Sequence, residues 1–251
     1  RDFPALEATS KLSAALSLGV ISIRQVYWAA IEQKRNADKR GRENIDTFIS
    51  ELIWREFYYQ ILANYPHAAE RSFRDEFNKL DWSENKKYFT AWCEGRTGYP
   101  IVDAGMRQLV QEGWMHNRVR MIVASFLTKD LHISWQWGEK FFLEHLCDAD
   151  IASNNGGWQW AAGTGTDASP WFRIFNPVSQ GKRFDPNGDY VRKYVPELKN
   201  VPPEFIHSPW MMDAKSARGI GFGKEYPAPI IDHAVERDVA IEMYKKAASR
   251  K

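Results

Sequence analysis

Apolar residues recur along most of the chain at the spacing expected of helices. The clearest case is a row of four apolar residues, each four positions after the last: Ile49, Ile53, Phe57 and Ile61. Such a row predicts one buried stripe on a helix over 47–64. Asp46 comes immediately before that segment and is a residue type that caps helix N-termini, so we expect the helix to begin there.

End signals mark further helices. Ser22 followed by Gln25 has the spacing of a capping box, in which each side chain satisfies a backbone N–H group of the other residue. Pro100 suits a first helical position, and Gly113 suits a C-terminal stop. The runs with helical apolar spacing are 23–34, 101–112, 115–127, 138–146 and 231–248. Since the chain shows neither an internal repeat nor alternating strands and helices, the fold class is predicted to be mostly α.

The composition of the sequence changes in its second half. Glycine, asparagine, proline and aromatic residues are dense over 148–210, and clear periodicity fades. We therefore expect short helices joined by ordered, functional loops in this region. The segment 34–43 is charged and lacks large apolar residues, which favours a variable tether. The whole chain, 1–251, is interpreted as one helical domain.

Composition narrows the class of protein. Among 251 residues, 44% are hydrophobic and 26% charged, and the formal net charge is +2, as in an ordinary globular protein with a mixed surface. No apolar run approaches ~20 residues, and the first ten positions lack an apolar signal region. We expect a cytoplasmic protein with no membrane span. Cys93 and Cys147 are expected to be free thiols packed as small apolar groups.

The segment 148–177 carries the densest candidate chemistry. Three Trp and two Phe stand among its glycines. Polar side chains share the segment: Asp148, Asp150, Asn154 and Asn155. Glycine and asparagine let a backbone approach a ligand closely, and flat aromatic faces favour a flat ligand. A calcium loop is excluded because Ala152 and Gln159 stand where ligands are required, and no metal is expected.

This segment resembles the flavin domain of the photolyase and cryptochrome family. The match continues through four further stretches: TSKLSAALSLG (9–19), ELIWREFYYQ (51–60), EGRTGYPIVDAGMRQL (94–109) and WMHNRVRMIVASFLTKDL (114–131). The resemblance implies a helical FAD-binding domain. The family's preceding α/β domain, which can hold a light-harvesting pigment, has no counterpart in this sequence. We therefore expect an isolated catalytic half with FAD and no antenna chromophore site.

The resemblance also implies which residues bind FAD. Those matched to the pyrophosphate site are Thr9, Ser10, Lys11, Leu12 and Ser13. Those matched to the flavin ring are Arg120, Asp148, Ala149, Asp150 and Asn154. The first group stands at the start of a predicted helix that ends at Gly19, so residue types alone also fit plain helix capping. Asn154 does not titrate, and this favours a fully reduced, anionic flavin.

Eleven Trp residues invite a packing explanation, because Trp buries a large area. The resemblance nevertheless implies that Trp158, Trp135 and Trp82 form an electron relay that runs outward from the flavin. Trp92 is a candidate branch of that relay. The remaining Trp residues considered, which we assign to packing, are Trp28, Trp137 and Trp210.

Four residues of the predicted 47–64 helix share one face that carries polar and aromatic groups. They are Glu51, Trp54, Arg55 and Tyr58. Spacing alone fits an amphipathic helix with an Arg–Glu pair as well. The resemblance implies a pocket for a flipped pyrimidine dimer, whose catalytic residues are Glu51, Trp54, Arg55, Asn117, Met121, Asn154 and Trp160. His116 is interpreted as structural.

DNA is the partner that the resemblance implies. Contacts to the flipped lesion or the strand are expected from Glu51, Trp54, Arg55, Tyr58, Asn117, Arg1, Arg118 and Gln180, and, on charge alone, from Lys182 and Arg183. The chain is most similar to class I members, which repair cyclobutane pyrimidine dimers by electron transfer from reduced FAD. The alternatives are a cryptochrome-like photoreceptor and a truncated helical module with weakened flavin binding. We expect a monomer, with self-association through an exposed former interdomain face as the alternative.

Overall fold

Helices dominate the computed structural model, which describes residues 1–167, 170–219 and 221–249. The α-helices are α1 (Ser13–Ser17), α2 (Ile23–Asn36), α3 (Lys39–Asn64), α4 (Lys86–Cys93), α5 (Pro100–Glu112), α6 (Asn117–Ser125), α7 (Trp135–His145), α8 (Ile151–Ala162), α9 (Pro177–Phe184), α10 (Asp189–Tyr194), α11 (Ala214–Gly219) and α12 (His233–Ser249). Short 3₁₀ turns cover Pro66–Ala69, Asp75–Lys79, Pro196–Leu198 and Pro209–Met211. Within the described residues, β-structure is limited to two isolated bridges, so the mostly α class is confirmed.

Three of the predicted end signals are confirmed. Ser22 Oγ accepts from the Gln25 backbone N–H at 3.2 Å, and Gln25 Oε1 accepts from the Ser22 N–H at 3.0 Å. Pro100 is the first residue of α5, and Gly113 ends that helix with a left-handed φ of 63°. These signals are local, and each involves residues close together in sequence, so the sequence alone was sufficient to identify them.

The predicted start of α3 was wrong. The helix begins at Lys39 behind Asp38, whose side chain accepts from the Gly41 N–H at 2.7 Å. Asp46 lies inside the helix and forms an ion pair with Lys34 of α2. The expected tether 34–43 is therefore helical except for two residues between α2 and α3. Lys, Arg and Glu are good helix formers, so a charged segment without apolar residues can still continue a helix.

The predicted buried stripe of α3 was also wrong. Leu52 is the buried residue of this helix, whereas Ile53 is 62% exposed. The other three members, Ile49, Phe57 and Ile61, are half-buried. α3 packs against both α2 and α8, so its contacts are spread over two neighbours and do not follow a single stripe.

Several other boundaries differ from the predictions. α6 starts at Asn117, after the His116 cap, and continues as a π-helical turn over Phe126–Asp130. α7 starts at Trp135, three residues before the predicted Gly138, because Ser134 caps it. The final helix starts at His233 instead of Ile231.

A regular helix of 12 residues lies at the start of the segment expected to be rich in loops. α8 begins after Asp150, which accepts from the Ser153 N–H at 2.7 Å, and ends at Gly163 with φ 77°. Its glycines and asparagines weaken helix propensity, but packing against α3, α6 and α7 overrides that preference. The expectation of short helices joined by loops holds for the part after α8, where α9, α10 and two 3₁₀ turns follow.

The main core is built around α5, and α8 meets α7 with very little clearance. A Cβ added at Gly138 of α7 would lie 2.1 Å from Cη2 of Trp158 in α8. A smaller cluster joins α12 to the 75–80 segment through Tyr244 and Phe77. Within the described part of the chain, no helix combines the length and apolar character needed to cross a membrane.

Two packing expectations were wrong and three agree with the structure. Cys147 is exposed, whereas Cys93 is half-buried, and both are free thiols. Burial raises the pKa of Cys93 to about 12. Trp28 is 63% exposed on α2, so it is not a packing residue. Trp137 and Trp210 do pack against the main core.

Candidate functional site

A cavity of about 580 Å³ opens between α3, α6, α8 and the residues around α1, and its size is typical of small-molecule sites. Many predicted site residues line it: Arg1, Thr9, Ser10, Lys11, Leu12, Ser13, Glu51, Trp54, Arg55, Tyr58, Asn117, Arg120, Met121, Asp148, Asp150, Asn154, Trp158 and Trp160. Residues that are more than 150 positions apart in the sequence thus meet at one site.

Other predicted residues lie outside this lining: Trp82, Trp135, Ala149, Arg118, Gln180, Lys182 and Arg183. The lining also contains residues that the sequence analysis did not single out: Leu16, Ser17, Phe48, Leu52, Trp114, Met115, Ala124, Phe142, Leu146, Ser153 and Gly157. Most of these are apolar, so their residue types do not distinguish a cavity wall from a core. Only Phe48, Phe142 and Leu146 lie outside the stretches quoted for the family match, so membership in a matched stretch was the available signal for the others.

The predicted face of α3 does border the cavity. Glu51, Trp54, Arg55 and Tyr58 all line it, and the Trp54 and Tyr58 rings lie 6.0 Å apart. Glu51 forms an ion pair with Arg1. Burial, with Asp167 and Glu51 nearby, raises the pKa of Tyr58 to about 12. This wall therefore presents a paired carboxylate and a protonated phenol beside an indole.

Arg120 and Asp148 form the most buried charged pair on the cavity wall. Arg120 Nη2 lies 2.8 Å from Oδ2 and 3.1 Å from Oδ1 of Asp148. Arg120 Nε donates to the Met115 carbonyl at 2.8 Å. The Asp148 side chain is only 3% exposed. The guanidinium is thus held at two points, and the pair forms a fixed hydrogen-bonding edge.

Asp150 joins α8 to α3. Besides capping α8, its carboxylate accepts a hydrogen bond from the Tyr59 hydroxyl. Arg55 Nη2 lies 3.5 Å from Asp150 Oδ2 and donates to the Tyr59 hydroxyl oxygen at 3.1 Å. Burial and the bond to Asp150 raise the pKa of Tyr59. Tyr59 was not among the predicted site residues, because its partner is 91 positions away.

Glu139 of α7 accepts hydrogen bonds from two asparagines of α8, Asn154 and Asn155. Its backbone carbonyl accepts from Asn154 Nδ2 at 2.9 Å, and its carboxylate accepts from Asn155 Nδ2 at 2.9 Å. Burial raises the pKa of Glu139 to about 7, although the Asn155 hydrogen bond opposes the shift. Asn154 is thereby held in one orientation on the cavity wall. Glu139 was not among the predicted site residues, since no local pattern connects it with Asn154.

The residues around α1 adopt a different arrangement from the predicted one. The helix begins only at Ser13, and its cap residue Leu12 makes no side-chain cap. Lys11 has a left-handed backbone with φ 53°. Ala149 does not line the cavity, and its carbonyl accepts from Ser17 Oγ. Thr9 to Leu12 thus reach the cavity from an irregular segment that precedes the helix.

The three Trp residues of the predicted relay occupy different environments. Trp158 lines the cavity and is 2% exposed, Trp135 is 1% exposed in the core, and Trp82 is half-buried. Trp158 has ring contacts with Trp92 at 6.1 Å and with Phe142 at 5.0 Å. Trp92, the candidate branch, is therefore in direct contact with the innermost Trp.

The residues predicted to contact the DNA backbone lie near the cavity or on α9. Arg118 pairs with Asp2 at 2.6 Å and lies over the Phe184 ring at 4.3 Å. Lys182 and Arg183 are exposed on α9, and Gln180 on the same helix is half-buried.

His116, which precedes Asn117 and Arg118 in the sequence, is buried. Its Nδ1 accepts from the Arg118 N–H at 3.2 Å. Burial, the N-terminal amine and Arg118 lower the pKa of His116 to about 4. The imidazole is therefore neutral at pH 7, and the interpretation of His116 as structural agrees with its place as a helix cap.

The cavity residues fit a large flat group with a polar edge. Buried Trp158 Nε1 has no hydrogen-bond partner within the described ranges, although it borders the cavity. A Cβ added at Gly157 would meet nothing within 4 Å, so the α8 backbone faces open space there. Apolar rings, an Arg–Asp edge and an oriented carboxamide together match the requirements of a planar heteroaromatic ligand.

Comparisons with known proteins agree with a site for a planar heteroaromatic ligand. Residues 48–246 match the family of the FAD binding domain of DNA photolyase. The deoxyribodipyrimidine photo-lyase of Vibrio cholerae is 52% identical over 248 residues, covering 98% of this chain and 51% of that protein.

Two solved structures show the same fold. A bacterial class III photolyase from Agrobacterium tumefaciens has a TM-score of 0.94 and 49% identity, covering 99% of this chain and 51% of that one. A cryptochrome from Synechocystis sp. PCC6803 has a TM-score of 0.85 and 37% identity, covering 94% and 48%. The chain thus spans about half the length of the relatives it matches, and it belongs to the family of FAD-binding domains of DNA photolyases.

Proposed function

We propose that the cavity binds FAD and that the chain repairs cyclobutane pyrimidine dimers in DNA as a light-driven carbon–carbon lyase. One observation carries this proposal: the Arg120–Asp148 edge and the Glu51–Trp54 face line the same cavity. A flavin and a flipped lesion would therefore be neighbours. When bound in its fully reduced anionic form, FAD supplies upon illumination an electron that opens the cyclobutane ring and is then recovered.

The chain offers separate groups to the two ends of FAD. The hydroxyls of Thr9, Ser10 and Ser13, with Lys11 and the Leu12 backbone, would hold the pyrophosphate. Arg120, Asp148 and Asp150 would fix the edge of the ring, with Ala149 beside them. Asn154 would face the ring with its carboxamide already oriented by the Glu139 carbonyl, 2.9 Å from Nδ2. Because an amide does not titrate, this residue would favour the anionic reduced state.

The opposite part of the cavity would hold the lesion. Trp54 and Trp160 would provide apolar walls, and Met121 would fill the space between them. Glu51 would accept hydrogen bonds at the base edges, and Arg55 and Asn117 would donate there and stabilise the transient negative charge. Extruding a damaged pair costs a few kcal/mol, which is less than for an intact pair, so the pocket would select damage.

A chain of Trp side chains would carry electrons between the surface and the cavity. Trp158, Trp135 and Trp82 are the proposed members. The ring contact between Trp158 and Trp92 at 6.1 Å supports a second route through Trp92. In either route Trp158 is the member that borders the cavity.

DNA strands would be held by residues around the cavity mouth. Arg1, Arg118 and Gln180 are proposed from the motif match, and Lys182 and Arg183 from charge and exposure; Tyr58 would contact the lesion strand from α3. Arg1 and Arg118 now pair with Glu51 and Asp2, so both would exchange a carboxylate for a phosphate on binding. Such contacts give affinity that falls steeply with salt.

The class of the protein, its oligomeric state and its location are also proposed. We assign the chain to class I on the matches at Asn117 and Asn154, although the similar Agrobacterium structure is a class III photolyase. We propose one domain over 1–251 that acts as a monomer on DNA in the cytoplasm.

A photoreceptor role is the second candidate, because a cryptochrome shares this fold with a TM-score of 0.85. A repair assay separates the two functions. The FAD-loaded chain, reduced with dithionite, is mixed with an oligonucleotide that contains one thymine dimer and is illuminated with blue light. The proposal expects restored thymines in the light and none in the dark. Flavin binding without repair would favour the photoreceptor, and absence of flavin binding would favour a helical module with weakened cofactor binding.

A further inference from the structure

A cluster of three aromatic rings lies at the surface, and the proposed function does not use it. The rings of Tyr65 and Phe73 meet edge to face at 5.2 Å, and those of His67 and Phe73 stack at 6.0 Å. Tyr65 is 46% exposed, whereas His67 and Phe73 are half-buried. We call these three residues the aromatic platform. Aromatic rings gain most from burial, so an ordered cluster left partly in water is a candidate binding surface.

Buried hydrogen bonds hold the platform against α8. Gln159 is 2% exposed, and its Oε1 accepts from the Phe73 N–H at 2.8 Å. Its Nε2 donates to the Ala68 carbonyl at 2.8 Å. The Arg74 N–H donates to the Thr164 carbonyl, just after α8, at 3.0 Å. The platform is therefore fixed in position relative to Trp160, the immediate neighbour of Gln159, before any ligand arrives.

The platform lies beside the wall of the cavity. A narrow cleft of about 20 Å³ is lined by Phe73 and Ala68 of the platform segment and also by Tyr58 and Trp160. Tyr58 and Trp160 line the main cavity as well. These two side chains therefore border both the proposed lesion pocket and the cleft that leads to the platform.

The charges around the platform favour one unpaired base over a long stretch of backbone. Arg74 is exposed and has no ion pair among the residues that the structure describes. Arg71 lies 4.0 Å from Asp75, and Glu70 is exposed beside it. Since these charges nearly cancel, the surface does not resemble a phosphate-binding groove. Stacking of a base on an aromatic face does not require net positive charge.

We propose that the aromatic platform stacks a nucleobase adjacent to the flipped lesion on the same DNA strand. This inference rests on the proposed function, which places the lesion in the cavity. Flipping two bases removes the stacking partner of the next base, and the platform would replace that partner at the end of the cleft. One unstacked base next to the damage would then contribute to recognition beyond the pocket itself.

The test is dark-state binding, so that no repair intervenes. Fluorescein-labelled single strands carry one thymine dimer with no flank, with a long 5′ flank or with a long 3′ flank. Their affinities for the FAD-loaded chain are measured by anisotropy. We expect Tyr65→Ala to weaken one of the flanked probes about tenfold, the effect of losing one base–aromatic stack. The probe without flanks should bind unchanged, and Tyr65→Phe should bind like the wild type.

Two further measurements connect the effect with stacking. An abasic nucleotide next to the dimer should make Tyr65→Ala and the wild type bind equally. Tyr27→Ala is the matched control, because Tyr27 is 38% exposed on α2 and does not border the cavity; it should leave every affinity unchanged.

Three results would overturn the inference: unchanged binding of all probes, equal weakening of the probe without flanks, or weakening that persists with the abasic probe. If the wild type binds dimer probes no better than undamaged ones, the proposed function fails as well. That failure is recognised from the wild type alone, so it is distinguishable from failure of the platform.

Discussion

Arg120 Nη2 lies 2.8 Å from Oδ2 of Asp148, and this contact fixes the edge of the cavity. The Asp148 side chain is 3% exposed and that of Arg120 is 24% exposed. Removing one member of such a pair leaves a buried charge without a partner, whereas removing both does not. We therefore expect the pair to stabilise the fold even without a bound ligand.

Arg120→Met is expected to lower the free energy of unfolding by about 3 kcal/mol, because Asp148 stays buried and unpaired. Arg120→Met combined with Asp148→Leu should lose less than the single variant. Urea denaturation of all three proteins measures the difference. Arg237→Met is the control, since its ion pair with Asp238 is exposed, and it should change stability by less than about 0.5 kcal/mol. A double variant that is less stable than Arg120→Met would contradict this account.

Alanine substitutions at two glycines, Gly157 in α8 and Gly138 in α7, are expected to change stability in opposite directions. Gly157→Ala should stabilise the flavin-free chain by about 0.5–1 kcal/mol, because alanine is the better helix former and meets nothing within 4 Å. The same change should weaken FAD binding, since Gly157 lines the cavity. Gly138→Ala should instead destabilise the chain by about 2–3 kcal/mol, because its Cβ would collide with Trp158. Thermal unfolding and flavin fluorescence titration check both variants; tighter FAD binding by Gly157→Ala would argue against the cavity as the site.

Glu139 should make stability depend on pH. Its pKa is raised from 4.5 to about 7 in the folded chain, so the folded state keeps a proton that the unfolded state has released. Stability should therefore fall as pH rises through this interval, by about 3 kcal/mol. Glu139→Gln keeps an acceptor for Asn155 and should remove most of that fall. Urea midpoints measured across the interval decide the matter, and parallel curves for the two proteins would refute the assignment.

Trp158→Phe should block light-driven reduction of bound flavin while leaving repair by the chemically reduced protein largely intact. Trp158 borders the cavity and contacts Trp92 at 6.1 Å, so in both proposed routes it would be the member next to the flavin. Single Trp135→Phe and Trp92→Phe variants then show which route dominates. Absorption spectra during anaerobic blue illumination follow the reduction. Trp28→Phe, at a residue 63% exposed on α2, should behave like the wild type; undiminished photoreduction in Trp158→Phe would exclude the relay.

Asn154→Asp should change which flavin state persists after illumination. The Asn154 amide donates to the Glu139 carbonyl at 2.9 Å, and a carboxylate cannot make that donation. The new side chain can also exchange a proton with its surroundings. Absorption spectra of the illuminated variant and the wild type are the comparison, and identical spectra would remove Asn154 from the account of the reduced state.

Local signals in the sequence predicted the fold class and several helix ends. Pro100 and Gly113 bracket α5 because proline and glycine act through their own backbone preferences. Asp46 failed as a cap because Asp38 stands before a run of good helix formers and the helix starts earlier. A cap residue identifies a potential start, but the helix starts earlier where another cap precedes a run of good helix formers.

The site was predictable only where residue types are distinctive. The 51–58 face and the 114–131 match placed Glu51, Trp54 and Asn117 on the cavity wall. Tyr59 and Glu139 were missed because their partners come from distant segments that only the fold brings together. The contact of Trp158 with Trp92 likewise depends on how α8 packs, which the order of residues does not specify.

A crystal structure of the FAD-loaded chain with a dimer-containing strand tests the central claim most directly. The account predicts the flavin ring within hydrogen-bond distance of Asp148, Asp150 or Asn154, with the dimer between the ring and Trp54. Flavin bound away from this cavity, or a cavity closed by side chains when flavin is present, would contradict it.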